Sequence, residues 1–311
     1  MLQKKRPENL FIGFALAFLG SVLFSTKAII VKKAFADTGI TAITLLALRM
    51  LFSLPFYIAA ALFSSSQKDS HRLSTKQWLM IILTGLLGYY ISSLLDFLGL
   101  QYVSAGIERL ILFFYPTFTI FINAWLFKTR VTANQKIALL LTYAGIALAF
   151  FGELQLDKTN TNFIWGSILV FICSITYACY IVASGRLIPK IGAAKFTAYA
   201  MLAATFGVLT HFFAVSDLAS VTWTPDLGMY GILIAVMSTV IPSFMLAYGM
   251  KKIGSNNTAI ITSIGPVSTI LQAHWILGEK IYNEQIIGTL LVIAGVLMIG
   301  KKSKTETVAA N

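Results

Sequence analysis

The chain has 311 residues, of which 57% are hydrophobic and only 12% charged, with a mean hydropathy of +0.80, whereas soluble domains carry about 25% charged residues. This composition excludes a soluble single-core enzyme, a coiled coil, a disordered chain and a disulfide scaffold. The formal charge of +12 would suggest a nucleic-acid partner in a soluble protein, but the basic residues lie between long apolar blocks, where lysine and arginine set membrane orientation.

Ten apolar runs approach the length needed to cross about 30 Å of hydrocarbon. The first, 10–31, follows Lys4, Lys5 and Arg6; it is too long for a secretory signal and has no small-residue cleavage site before Lys32, so it reads as an uncleaved span carrying Lys27. The second, 40–63, contains Arg49 and Pro55. On the third, 78–100, Gly85, Tyr89, Ser92 and Asp96 recur at helical spacing and make one polar stripe. The fourth, 105–127, holds Glu108, Arg109, Tyr115 and Pro116, and the fifth, 137–151, is short.

The sixth, 163–184, holds Tyr177 and Tyr180 together with Cys173 and Cys179, whose spacing matches no metal or redox motif and predicts packing roles. The seventh spans 196–215, and the eighth, 228–250, contains Pro242. The ninth, 258–277, repeats the polar stripe as Thr262, Gly265, Thr269 and Gln272, with Pro266 mid-span and His274 beside Trp275 near its end; the tenth, 286–300, is again short. Lipid satisfies no backbone polar group, and none of these runs alternates as barrel strands do, so each is predicted to be a helix. The expected fold is an all-α membrane protein of ten transmembrane helices.

The loop charges divide unequally. Clusters such as Lys4-Lys5-Arg6, Lys68 to Lys76, Lys128 to Lys136, Arg186 to Lys195, Lys251-Lys252 and Lys301 to Lys304 fall on one side, against Lys32, Lys33, Lys158 and Lys280 on the other. The positive-inside rule then puts both termini in the cytoplasm of a multi-pass protein of the inner, cytoplasmic membrane, with Trp78, Trp125, Trp165 and Trp275 at the interfaces.

A shift of 150 positions places Gly99 on Gly249, Ile111 on Ile261, Pro116 on Pro266, Trp125 on Trp275 and Ala144-Gly145 on Ala294-Gly295, and a shift of 153 places Gly13, Phe18 and Ser21 on Gly166, Phe171 and Ser174. The chain therefore reads as two five-helix halves, 1–155 and 156–311. Five is odd, so the second half must cross the membrane in the opposite sense, as in inverted-repeat transporters that work by alternating access.

The ten-span pattern, the half-repeat and the stretch from Tyr102 to Thr117 (Tyr-Val-Ser-Ala-Gly-Ile-Glu-Arg-Leu-Ile-Leu-Phe-Phe-Tyr-Pro-Thr) resemble EamA-type members of the drug/metabolite transporter superfamily. The resemblance implies the ten-helix inverted-repeat fold and carriage, often outward, of small metabolites such as amino acids.

Lys27, Arg49, Asp96, Glu108 and Arg109 are ionisable groups inside spans. Exposing all five to lipid would cost on the order of 15 kcal/mol, so they are expected to face one another or a watery cavity. Counting about 1.5 Å per residue, Lys27, Asp96, Glu108 and Arg109 fall at a common depth roughly 6–8 Å below one surface, with Arg49 nearer the midplane. Their expected role is a substrate pocket in which Lys27 or Arg49 meets a carboxylate while Asp96 or Glu108 meets an amine or carries a proton. Glu108 and Arg109, about 100° apart on a helix, cannot share one partner, and Glu108 is expected on the cavity side. Tyr89, Tyr115, Tyr177, Tyr180, Thr262 and Thr269 complete the expected substrate contacts, and His274 is a further proton-coupling candidate.

Two other functions fit less of the chain. One is a flippase for an isoprenoid-phosphate lipid, its phosphate held by surplus membrane cations. The other is an intramembrane enzyme using Asp96, Glu108 and His274, against which stands the lack of a nucleophile or metal constellation. No phosphate-binding loop is present, so ATP coupling within the chain is not expected. The expected partners are a small molecule and the lipid bilayer, with no nucleic acid, no metal and no cofactor.

Overall fold

A computed structural model of the protein describes residues 7–65, 73–127, 133–156, 161–216, 223–253, 258, 261–262 and 264–301. Lys4, Lys5, Arg6, Lys68, Arg72, Lys128, Arg130, Asp157, Lys158, Asp217, Lys302 and Lys304, on which much of the orientation argument rests, lie outside the described residues.

Among the described residues the regular structure is entirely helical. We label the elements α1 (Pro7–Thr38), α2 (Ala42–Ser65), α3 (Thr75–Leu100), α4 (Ala105–Leu126), α5 (Ala133–Leu156), α6 (Phe163–Ile191), α7 (Ala193–Val215), α8 (Pro225–Ile253), α9 (Gly265–Gln272, continued by a π turn at Ala273–Leu277) and α10 (Asn283–Lys301). Seven of these, α1 to α4 and α6 to α8, are long and apolar enough to cross a membrane. Helices also occupy the fifth, ninth and tenth runs. α9 begins at Gly265 with Pro266 in its first turn, where the missing N–H is tolerated.

The surface is strongly apolar, and polar side chains are buried in the interior. Phe11, Phe63, Trp125, Phe206 and Trp275 are all at least 75% exposed, whereas Ser53, Glu108, Ser174, Ser238 and Thr269 have no exposed surface. That arrangement suits a chain whose solvent is hydrocarbon. Trp78, Trp165 and Trp223 also reach the outside.

Helix starts are set by side chains that satisfy the free N–H groups of the first turn. Ser74 caps α3 in a reciprocal box with Gln77, and Thr224, 150 positions later, caps α8 at 3.2 Å from the Leu227 amide with Pro225 in the first helical position. Ser104 caps α4 through the Ile107 amide at 3.1 Å. The correspondence between halves extends to irregularities. A π turn interrupts α3 at Leu86–Ile91 and α8 at Val236–Val240, again 150 apart; just after the first, Ser92 Oγ donates to the Leu87 carbonyl at 2.9 Å, and within the second, Thr239 Oγ1 donates to that of Ile234 at 2.8 Å.

The packing pairs map onto one another when the halves are exchanged. α1 lies on α8 as α6 lies on α3, α1 touches α9 as α6 touches α4, α2 meets α8 as α7 meets α3, and α2·α7 and α5·α10 are self-equivalent pairs. Glycines make three of these approaches possible. A Cβ on Gly99 would stand 3.0 Å from the Gly166 carbonyl oxygen, and one on Gly249 would stand 3.2 Å from that of Gly13. In α5·α10, Gly145 and Gly288 face each other so closely that either Cβ would stand 2.4 Å from the other's carbonyl oxygen.

Candidate functional site

Between the halves lies a cavity of about 110 Å³, the space of several water molecules, walled by α1, α2, α3, α4, α6 and α8 together with Thr258 and Thr262. Of the residues singled out from sequence, Lys27, Arg49, Tyr89, Asp96, Arg109, Tyr115, Tyr177, Tyr180 and Thr262 line it. Glu108 and Thr269 do not; both are fully buried behind the wall.

Lys27, from α1, brings its Nζ 2.6 Å from Asp96 Oδ2 on α3. The Glu108 carboxyl lies against that of Asp96, and its oxygens meet no hydrogen-bond donor among the described residues. The expected cluster thus forms through Lys27, Asp96 and Glu108. The expected division of labour on α4 is reversed: Arg109 faces the cavity and Glu108 faces its neighbour carboxyl. The 100° between adjacent residues forces that choice once Arg109 Nη2 reaches Ser25 Oγ at 3.2 Å and the guanidinium packs over Gly265, where a Cβ would collide at 2.5 Å.

Phe24, which the sequence reading passed over, sits beneath both cations, with Lys27 Nζ 5.2 Å and the Arg109 guanidinium 5.6 Å from its ring centre. A desolvated cation over such a face gains on the order of 2 kcal/mol.

Arg49 is 1% exposed and is held differently. Its Nε donates to Thr239 Oγ1 at 2.7 Å, its Nη1 to Ser93 Oγ at 2.9 Å, and its plane lies 5.7 Å from the Phe97 ring centre. No carboxylate among the described residues lies within ion-pair distance of it. Thr239 is the repeat partner of Tyr89, and Ser243, which bonds Tyr57 Oη at 2.9 Å, is that of Ser93. Translating Tyr89 of the α3 stripe by one repeat would have found Thr239, whereas Ser93, and with it Ser243, lies outside that stripe.

A ladder of phenols forms another part of the cavity wall. Tyr115 meets Tyr177 edge-on at 5.2 Å, Tyr177 stacks on Tyr180 at 5.6 Å, and Tyr180 meets Tyr89 edge-on at 4.9 Å, their hydroxyls 2.7 Å apart. Cys173, expected as packing, is buried but also touches the cavity.

Two serines of α1 serve backbone carbonyls at the ninth run. Pro266 has no N–H for the Thr262 carbonyl, which instead accepts from Ser21 Oγ at 3.2 Å, while Ser25 Oγ donates to the Gly265 carbonyl at 3.3 Å. His274 stands apart from the cavity at the exposed end of α9, its Nδ1 2.9 Å from the Glu279 carbonyl oxygen. There Glu279 accepts from the Ala105 amide at 3.1 Å and lies 3.8 Å from Lys32, which donates to the Val103 carbonyl at 2.7 Å.

The model of the EamA-like transporter family matches the chain twice, over residues 11–151 and 164–301. The chain is 31% identical to an uncharacterized transporter of Bacillus subtilis, YcbK, over 93% of this chain and 95% of the relative. A second B. subtilis protein, the uncharacterized transporter YyaM, is 26% identical over 70% of this chain and 71% of its own. A solved crystal structure superimposes with a TM-score of 0.67 at 18% identity, covering 94% of this chain and 96% of that one, a likeness of fold alone.

Proposed function

The chain belongs to the EamA-like transporter family and is a multi-pass membrane protein, and from that premise we propose that it is a secondary-active carrier of small polar metabolites, amino acids among the candidates, working by alternating access. The observation that carries this reading is the cavity itself, lined by the ionisable side chains of Lys27, Arg49, Asp96 and Arg109 and walled by helices of both halves.

In this reading the ten helices cross the membrane as two five-helix repeats of opposite sense, with both termini in the cytoplasm of the cell membrane. Successive helices then run in opposite directions, which sets the Gly99·Gly166 approach near one end of the cavity and its repeat copy, Gly249·Gly13, near the other. Parting one while the other stays closed exchanges access. Asp96 and Glu108, two carboxyls side by side in the interior, supply a site for a coupling proton. His274 has no part in that pair.

The test is counterflow in proteoliposomes with labelled amino acids, nucleosides and organic acids, with and without an imposed pH gradient. One class should exchange, and the gradient should accelerate it in the native protein but not in Glu108→Gln. Exchange of no class by folded protein would end the carrier reading, and unaltered gradient dependence in both Glu108→Gln and Asp96→Asn would end proton coupling.

A further inference from the structure

The wall charges do not balance, and the imbalance has a sign. Three cations face the cavity, Lys27, Arg49 and Arg109, against a single carboxylate, Asp96. Asp96 is already committed to Lys27 at 2.6 Å, and Glu108, the other acid nearby, stands behind the wall. Arg49 has only the neutral hydroxyls of Thr239 and Ser93 for partners, and Arg109 Nε meets no acceptor among the described residues. Even with Asp96 and Glu108 both ionised, the set carries one surplus positive charge, and a buried charge without a counter-charge is costly.

The remaining wall is aromatic. The phenolic hydroxyls spend themselves on one another and on hydroxyl side chains, Tyr89 with Tyr180 and Tyr115 with Thr262 at 3.3 Å, so the ladder offers ring surface more than free donors. One guanidinium with only neutral acceptors, a second with a free Nε, an aromatic face and no uncommitted acid in the wall describe one ligand chemistry.

We propose that the cavity selects an organic anion, its carboxylate or similar acidic group on Arg49 and Arg109 and its apolar body along Tyr115, Tyr177, Tyr180 and Tyr89, and discriminates against ligands bearing an ammonium group. This rests on the carrier reading for its location and narrows it, since a zwitterionic amino acid would bring an ammonium group to a wall with no carboxylate to receive it. An anion on the site offsets surplus positive charge, and so lowers the desolvation cost of moving that charge through the membrane interior.

Three molecules of one skeleton separate the possibilities: 3-phenylpropionate, phenylalanine and phenethylamine share a ring and chain length and differ in charge. Thermal unfolding of the detergent-solubilised native chain, titrated with each, should show 3-phenylpropionate binding at least tenfold more tightly than the other two. Arg49→Gln should weaken that ligand by at least tenfold, and Arg49→Lys, which keeps the charge but not the fork, by less. Phenylalanine or phenethylamine binding as tightly as 3-phenylpropionate, or no response to 3-phenylpropionate at millimolar concentration, overturns the proposal in the native protein, whatever the variants do. Counterflow of the same three compounds keeps the two readings apart. Preferential exchange of phenylalanine retains the carrier and removes the anion selectivity, whereas tight binding of 3-phenylpropionate without exchange does the opposite.

Discussion

A lysine or aspartate in hydrocarbon has few places to go, and that scarcity made part of the site legible. Lys27, Arg49, Asp96 and Arg109 were assigned to a shared interior because lipid tolerates none of them, and all four line the cavity. Which neighbour turned inward was not legible: the orientation of Arg109 over Glu108 depends on the rotation of α4 fixed by Ser25 and Gly265, contacts from distant parts of the chain. Thr269 has the spacing of a stripe residue yet is fully buried, because α9 restarts at Gly265 and the helical period does not carry across that break from Thr262. The Lys27–Asp96 pair makes a prediction at this scale. Removing one partner of a buried pair costs about 3–5 kcal/mol, whereas replacing both by apolar or neutral groups is close to neutral. Lys27→Met and Asp96→Asn should therefore each lower the unfolding temperature in detergent, and the double variant should recover most of the loss. A double variant as unstable as the sum of the two would show that the pair does not hold α1 to α3 in the way the 2.6 Å contact implies.

Helices carry the second level of information, and here the internal repeat proved more informative than hydropathy. Gly99, Gly249, Gly13 and Gly166 were paired by arithmetic alone, and the structure makes them the crossing points of α3 with α6 and of α8 with α1. The π turns in α3 and α8 were not legible, since Leu86–Ile91 and Val236–Val240 share little sequence and an inserted residue leaves no mark on composition. The two crossings are equivalent in position but not in tightness. A Cβ on Gly99 would stand 2.5 Å from Val170 Cγ2, whereas one on Gly249 meets Ala17, the repeat partner of Val170, at 3.3 Å. Gly99→Ala should therefore cost about 1–3 kcal/mol through overpacking, with Gly249→Ala the milder change. Adding Val170→Ala should return part of the stability lost in Gly99→Ala, and add none to Gly249→Ala. Equal losses at the two glycines, read as midpoints of thermal unfolding, would mean that the crossings are not limited by these side chains.

At the scale of the molecule, exchange of the halves maps the main helix-packing pairs onto one another, while the chemistry of the halves differs: Lys27 is matched by Tyr180, Phe24 by Tyr177 and Asp96 by Leu246. The charges of the cavity belong to the first half, whereas the phenol ladder draws Tyr89 and Tyr115 from the first half and Tyr177 and Tyr180 from the second, so a symmetric frame carries an asymmetric site. A frame of this kind has two equivalent places to close, and alternating access requires that each open in turn. Ala17 and Gly249 bring their Cβ positions 3.3 Å apart, near the spacing of about 3.8 Å that a disulfide prefers. In a chain carrying Cys173→Ala and Cys179→Ala, Ala17→Cys with Gly249→Cys should therefore crosslink on oxidation and arrest counterflow, and reduction should restore it. Val170→Cys with Gly99→Cys, the copy at the other crossing, should arrest it as well. A channel or a fixed bundle needs neither crossing to part. Full exchange through a protein locked at either pair would show that substrate passes without the halves trading places, and the two-state frame would have to be given up.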